Sequence, residues 1–88
     1  MYEYLAEFIG SVFFIYIILA TNNVLAIGAA FALILLILSR FSSGYLNPAI
    51  TITLAAAGKY PPSDIIPYSV AQILGGLVAL EIFKRWGV

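Results

Sequence analysis

Residues 42–58 read SSGYLNPAITITLAAAG, and the fold turns on this stretch. Asn47 suits a helix N-cap, because its side-chain oxygen can accept from a free amide of the first turn. Pro48 suits the first helical position and Gly58 the C-terminal stop, so the spacing predicts a short helix over about 48–58. At 1.5 Å per residue such a helix is roughly 15 Å long, half of a hydrocarbon core about 30 Å thick. It can enter a membrane but not cross it. Irregular backbone at membrane depth, expected for residues 42–46, is tolerated only where it is buried in protein or lines a watery cavity. The helix start also sets the positive end of a dipole, with the Asn47 amide, near the midplane, a place for polar groups and a barrier to cations. A surface amphipathic helix is the competing reading. Only Thr51 and Thr53 offer it a polar face, and no cation lies within it.

The flanking sequence supports a membrane setting. Of 88 residues, 64% are hydrophobic and 9% charged, against about a quarter charged in soluble domains. So few polar residues cannot cover the surface a small domain leaves in water. A net charge of zero gives no electrostatic case for nucleic acid, and the absence of Cys and His removes disulfides and the usual transition-metal ligands, so no metal or cofactor is expected. The apolar run Tyr4 to Ala20, interrupted by Glu7, predicts a helix over about 4–20. After the polar turn Thr21-Asn22-Asn23, the run Val24 to Leu38, closed by Ser39 and Arg40, predicts a second over about 24–40. Both are short for spanning and would borrow flanking residues such as Tyr2 or Phe41. Beyond the proline-broken connection Lys59 to Asp64, a third span is predicted over about 65–85, anchored by Lys84, Arg85 and Trp86. A secretory signal peptide is the other reading of the first 20 residues. No Lys or Arg precedes the run, Glu3 and Glu7 are acidic, and no A-x-A-like site precedes Thr21. The expectation is an all-α, multi-pass integral membrane protein with three transmembrane helices and one re-entrant half-helix.

Three further features bear on the site. Glu7 inside the first span is costly unless paired, and is either a functional acid or a brace for the exposed backbone of 42–46. Gln72 reads as polar glue between helices. Ala6 with Gly10, Gly28 with Ala32, and Ala71, Gly75 and Ala79 place small residues four apart on three helices, which lets backbones approach closely.

Leu46-Asn47-Pro48-Ala49-Ile50-Thr51, preceded by Ser42 and Gly44, resembles the Asn-Pro-Ala signature of the aquaporin and glycerol-facilitator (major intrinsic protein) family. Ala6-Glu7-Phe8-Ile9-Gly10, and Pro67-Tyr68 with Ala71-Gln72 and Gly75, are similar to its flanking motifs in the same order. The resemblance covers nearly the whole chain. It implies a pore of two inverted repeats, each with three spans and a half-helix, whose Asn-Pro-Ala starts meet at the midplane. This chain carries one such repeat, so the expectation is a single half-repeat that needs a second chain to enclose a pore. The resemblance assigns Asn47, Pro48 and Ala49 to the pore motif, with Asn47 as an amide donor, and makes Glu7 a brace of the re-entrant loop. It places the narrow filter at Ile27, Leu35, Gly44 and Ile50. All four are apolar or lack a side chain, where the family often has an arginine at the Ile50 position of its second repeat and aromatic or histidine groups elsewhere. Tyr45 stands where the family usually has histidine. Apolar constrictions admit water reluctantly and tolerate small neutral solutes with carbon faces.

Charge placement bears on the partner. With three crossings and a re-entrant loop, Arg40 and Lys59 fall on one side and Lys84 and Arg85 on the other, so the positive-inside rule has almost nothing to act on. Dual topology and an antiparallel homodimer are therefore expected, a true two-fold axis replacing the family's pseudo-two-fold. Clustering of pores into a larger oligomer is implied by the resemblance alone. The function expected is passive passage of water or small uncharged solutes of the glycerol class. The alternatives are a proton-coupled dual-topology transporter using Glu7, and a non-conducting half that joins a separate partner half. No nucleophile, base and orienter set suggests an enzyme.

Overall fold

Nineteen residues from Tyr2 to Ala20 form helix α1, a turn at 21–23 follows, and Val24–Leu38 form α2. Pro48–Ala56 form the nine-residue α3, and a 3-10 turn at Pro62–Asp64 leads into α4, Ile65–Trp86. The computed structural model describes residues 2–87. Two elements, Tyr2–Ala20 and Pro62–Trp86, are long and apolar enough to cross a membrane, while α2 is shorter. At 1.5 Å per residue α3 extends about 14 Å.

The helix boundaries follow local chemistry. Asn23 caps α2 by accepting from the Ala26 amide at 3.0 Å. At its other end α2 stops at Leu38, short of the expected 40, and Phe41 lies outside the helix. Ser39 turns its hydroxyl back to the Leu36 carbonyl at 2.9 Å, a local bond that competes with helix continuation. Helix α3 ends in a left-handed cap at Gly58, φ +82°. The Lys59 amide donates to the Leu54 carbonyl at 2.8 Å and the Gly58 amide to that of Ala55 at 3.1 Å, which satisfies the last carbonyls of the helix.

Helices α1 and α4 run parallel, since Tyr4 meets Tyr68, Glu7 meets Gln72 and Tyr16 meets Phe83 in step. Ala6, Gly10, Ala71, Gly75 and Ala79 are buried there, as their four-residue spacing predicts. A Cβ on Gly75 would lie 2.6 Å from the Phe8 carbonyl oxygen and 2.7 Å from Ser11 Cβ. Neither atom can yield, so Gly75→Ala is expected to destabilise the fold by about 1–3 kcal/mol, measured as a lower thermal midpoint in detergent. The third small pair behaves otherwise. Gly28 and Ala32 are exposed, nothing lies within 4 Å of a Cβ on Gly28, and no residue of α2 is buried. Helix α2 touches α1 through Phe14 against Phe31, ring centres 4.8 Å apart, and through Leu38 over Gly10.

The interior holds a polar network beside small and aromatic side chains, and the exterior is apolar. The largest fully buried side chains are Glu7, Thr51 and Ser11, while Leu25, Val24, Leu36 and Ile66 are more than 70% exposed. Such a surface has lipid as its natural solvent.

Candidate functional site

A carboxylate holds the polar interior together. Glu7 is fully buried and accepts three hydrogen bonds. The Ser42 hydroxyl donates to Oε2 at 2.7 Å, and the Leu46 amide and the Gln72 side-chain amide donate to Oε1 at 3.0 and 2.8 Å. Ser42 Oγ in turn accepts from the Gly44 amide at 2.9 Å. Gln72 also donates to Thr51 Oγ1 at 2.9 Å, which extends the network into α3. The Thr51 hydroxyl has one hydrogen and two acceptors in reach, the Asn47 carbonyl at 3.1 Å and Gln72 Oε1 at 3.2 Å. One carboxylate thereby fastens α1, the loop 42–46, α3 and α4 to each other.

The loop is shaped to this anchor. Leu46 has a φ of 63°, a left-handed conformation that costs a branched side chain roughly 1–2 kcal/mol. Its amide bond to Glu7 and its burial, 4% exposed, offset that cost. Gly10 makes the burial possible, since a Cβ there would sit 2.8 Å from Leu46 Cδ2. Gly44 presses its backbone against Glu7, and a Cβ on it would meet the carboxyl carbon at 2.4 Å. The inversion at Leu46 delivers the chain to Asn47, whose Oδ1 accepts from the Ala49 amide at 2.7 Å with Pro48 in the first turn. Asn47 is exposed, and its Nδ2 makes no hydrogen bond within the described residues.

Loop donors are thus turned inward, and beside the loop lies a cavity of about 180 Å³ lined by Leu35, Ser39, Ser42, Ser43, Gly44 and Tyr45. Leu35 and Gly44, both expected at the filter, meet in this vestibule. Ile50 lines a separate depression of about 230 Å³ with Ala49, Thr53 and Leu54, and Ile27, half-buried on α2, lines neither.

The profile of the major intrinsic proteins matches residues 1–88. The chain belongs to the major intrinsic protein family. Like other major intrinsic proteins it is an integral, multi-pass membrane protein. It is 35% identical over 95 residues to Glycerol uptake facilitator protein-like 6 of Lactiplantibacillus plantarum, a match covering 98% of this chain and 44% of that protein. It is 40% identical over 58 residues to Aquaporin Z of Bradyrhizobium diazoefficiens, covering 66% of this chain and 24% of the other. Aquaporin AqpM of Methanothermobacter thermautotrophicus is 42% identical over 61 residues, 69% of this chain and 25% of its own. The chain therefore spans less than half the length of these relatives. No solved structure gives a significant match.

Within this major intrinsic protein, sequence reasoning read Glu7 and Gln72 as polar support, gave Ser42 and Thr51 no hydrogen-bonding role, and read Gly44 only as a filter position. Ser42 and Thr51 complete the hydrogen bonding, and Gly44 has a steric reason to be glycine. Thr51 carried a signal, since Thr51 and Thr53 lie two apart on α3 and only one can face inward; Thr51 is fully buried and Thr53 exposed.

Proposed function

We propose that the chain forms a passive channel for water and small uncharged solutes of the glycerol class, its pore completed by a second copy in antiparallel orientation. The uncommitted Asn47 Nδ2 carries this reading. Its sister oxygen is used as a cap, yet the amide nitrogen stands on an exposed face at the start of a nine-residue helix with no acceptor among the described residues. In a membrane-embedded segment such a donor needs a wet cavity or a partner. Ser43, Tyr45 and Thr53 are also exposed on the loop and α3, whereas α2 presents only carbon side chains to its surroundings. Lipid can cover α2 but not the loop and α3. A second copy of the same polar face supplies the missing wall and a second Asn47, and α3 then enters the membrane as a re-entrant half-helix between three spans.

Asn47→Asp separates the two roles of Asn47, because the carboxylate keeps the capping oxygen and removes the donor. In proteoliposomes followed by stopped-flow light scattering, wild type is expected to shrink faster than empty vesicles in sorbitol and to admit glycerol. Asn47→Asp should fall close to the empty-vesicle rate with an unchanged thermal midpoint. Wild type indistinguishable from empty vesicles would sink the homodimeric channel in favour of a half that needs a separate partner. Labelling both termini in cells checks orientation independently, and a single orientation would exclude the antiparallel pair.

A proton-coupled transporter is less well supported. Glu7 is fully buried with both oxygens engaged by three donors, the setting of a brace. The relatives are named as a glycerol uptake facilitator and aquaporins, not as enzymes.

A further inference from the structure

We propose that Tyr60 is a positioning residue of the vestibule, its hydroxyl holding the Ser43 carbonyl so that the loop 42–46 is registered against the connection that follows α3. Tyr60 lies four residues beyond the end of α3, in a segment of the chain to which neither sequence motifs nor the Glu7 network give a role. Its side chain is nevertheless 8% exposed.

The ring is a fixed reference point. It is buried with Ala55 and Tyr68, and Tyr4, Leu54 and Ile65 pack around them. Its centre lies 5.8 Å from that of Tyr68, which meets Tyr4 edge-on at 5.2 Å. Side chains from α1, α3 and α4 therefore hold one aromatic in place. From this apolar cluster the hydroxyl reaches the Ser43 carbonyl and donates to it.

Ser43 sits between the two residues that Glu7 controls. Ser42 donates directly to the carboxylate and the Gly44 amide donates to Ser42 Oγ. The loop is thus fastened twice, by its donors to Glu7 and by one carbonyl to Tyr60. Ser42, Ser43, Gly44 and Tyr45 form most of the vestibule wall, so the Tyr60 bond sets where that wall stands. It also takes one of the two lone pairs of that carbonyl, leaving fewer for a hydroxylated solute. Burial first, then the nearby Tyr45, Glu7 and Tyr68, push the Tyr60 hydroxyl up to about 12. The hydroxyl is therefore a donor throughout the neutral range, and its contribution is lost only as pH rises from about 10 through that value.

Tyr60→Phe keeps the ring and deletes the donor, and Tyr60→Leu deletes both. Amide hydrogen exchange of the whole chain in detergent tests the latch without reference to transport. The glycerol-to-water permeability ratio in proteoliposomes tests its effect on selection and rests on the channel reading. Tyr60→Phe is expected to leave the thermal midpoint near wild type, to speed exchange at the Gly44 and Leu46 amides, and to raise the permeability ratio. Each change should be about two- to tenfold, the range one net hydrogen bond spans. Tyr60→Leu should in addition lower the thermal midpoint. Unchanged exchange in Tyr60→Phe overturns the latch, and faster exchange with an unchanged ratio overturns its role in selection. A wild type that conducts nothing refutes the channel reading, while exchange alone still decides the latch.

Discussion

Glu7→Ala is expected to release the loop 42–46 and, under the proposed channel function, to abolish conduction, the largest effect of any single substitution in this chain. The side chain satisfies the Ser42 hydroxyl, the Leu46 amide and one hydrogen of the Gln72 amide, all at buried positions. Orphaning a buried donor costs about 1–3 kcal/mol, so three together amount to several kcal/mol before any relaxation. The left-handed backbone at Leu46 loses its amide partner at the same time, and with it part of what offsets its conformational cost. Glu7→Gln should be milder. Its oxygen can still accept from Leu46 and Gln72, while its new amide meets Ser42, whose hydroxyl can rotate to accept. Thermal midpoints in detergent, with exchange at the Leu46 amide, should rank wild type above Glu7→Gln and Glu7→Ala last. Equal stability for Glu7→Ala and wild type would show that water replaces the carboxylate and that the brace is dispensable. A Glu7→Gln variant with native stability and assembly but no transport would instead revive the proton-coupled reading.

Gly44→Ala should injure the same place from the opposite side. The three atoms nearest to its new methyl all belong to the Glu7 carboxyl group, at 2.4, 2.5 and 2.6 Å. A flexible side chain in open space would swing away from such an intruder. Glu7 is held by three donors, two on the loop and one on α4, so either the bonds break or the loop lifts. The expected cost is about 1–3 kcal/mol for the overpacking, together with any hydrogen bond that is lost. Because one partner causes the whole clash, the two substitutions should not add. In a Glu7→Ala background, Gly44→Ala should cost little, and the double-mutant cycle should show coupling of about 0.5–3 kcal/mol. Additive penalties would mean that Gly44 is constrained by something other than Glu7.

The short helix was legible in the sequence because caps are local. Asn47, Pro48 and Gly58 each act on groups within five residues, and their order along the chain states where a helix begins and stops. The Ala6, Gly10, Ala71 and Gly75 spacings were legible for a similar reason, since a repeat of four marks one face. Gly28 and Ala32 follow the same spacing but meet no helix among the described residues. Helix α2 is apolar on every side, so a small-residue spacing there has no polar face to say which way it points. Pattern left Glu7 as either a functional acid or a brace, and the resemblance chose the brace. Its donors stand 35, 39 and 65 residues away, beyond any local signal. The left-handed turn at Leu46 was hidden as well, because leucine gives no hint of positive φ, and the compensating contacts lie on another helix.

The same separations set a timetable for biosynthesis. The amide of Gln72 leaves the ribosome 65 residues after Glu7, about 3–13 s later at ordinary elongation rates. During that interval α1 is already made, carrying a carboxylate whose last ligand does not yet exist. The translocation machinery, or water within it, must shelter that group until the last helix arrives. Maturation is therefore a late event governed by α4, and a nascent chain halted before residue 72 should remain susceptible to quality-control proteolysis however well its first hairpin has inserted.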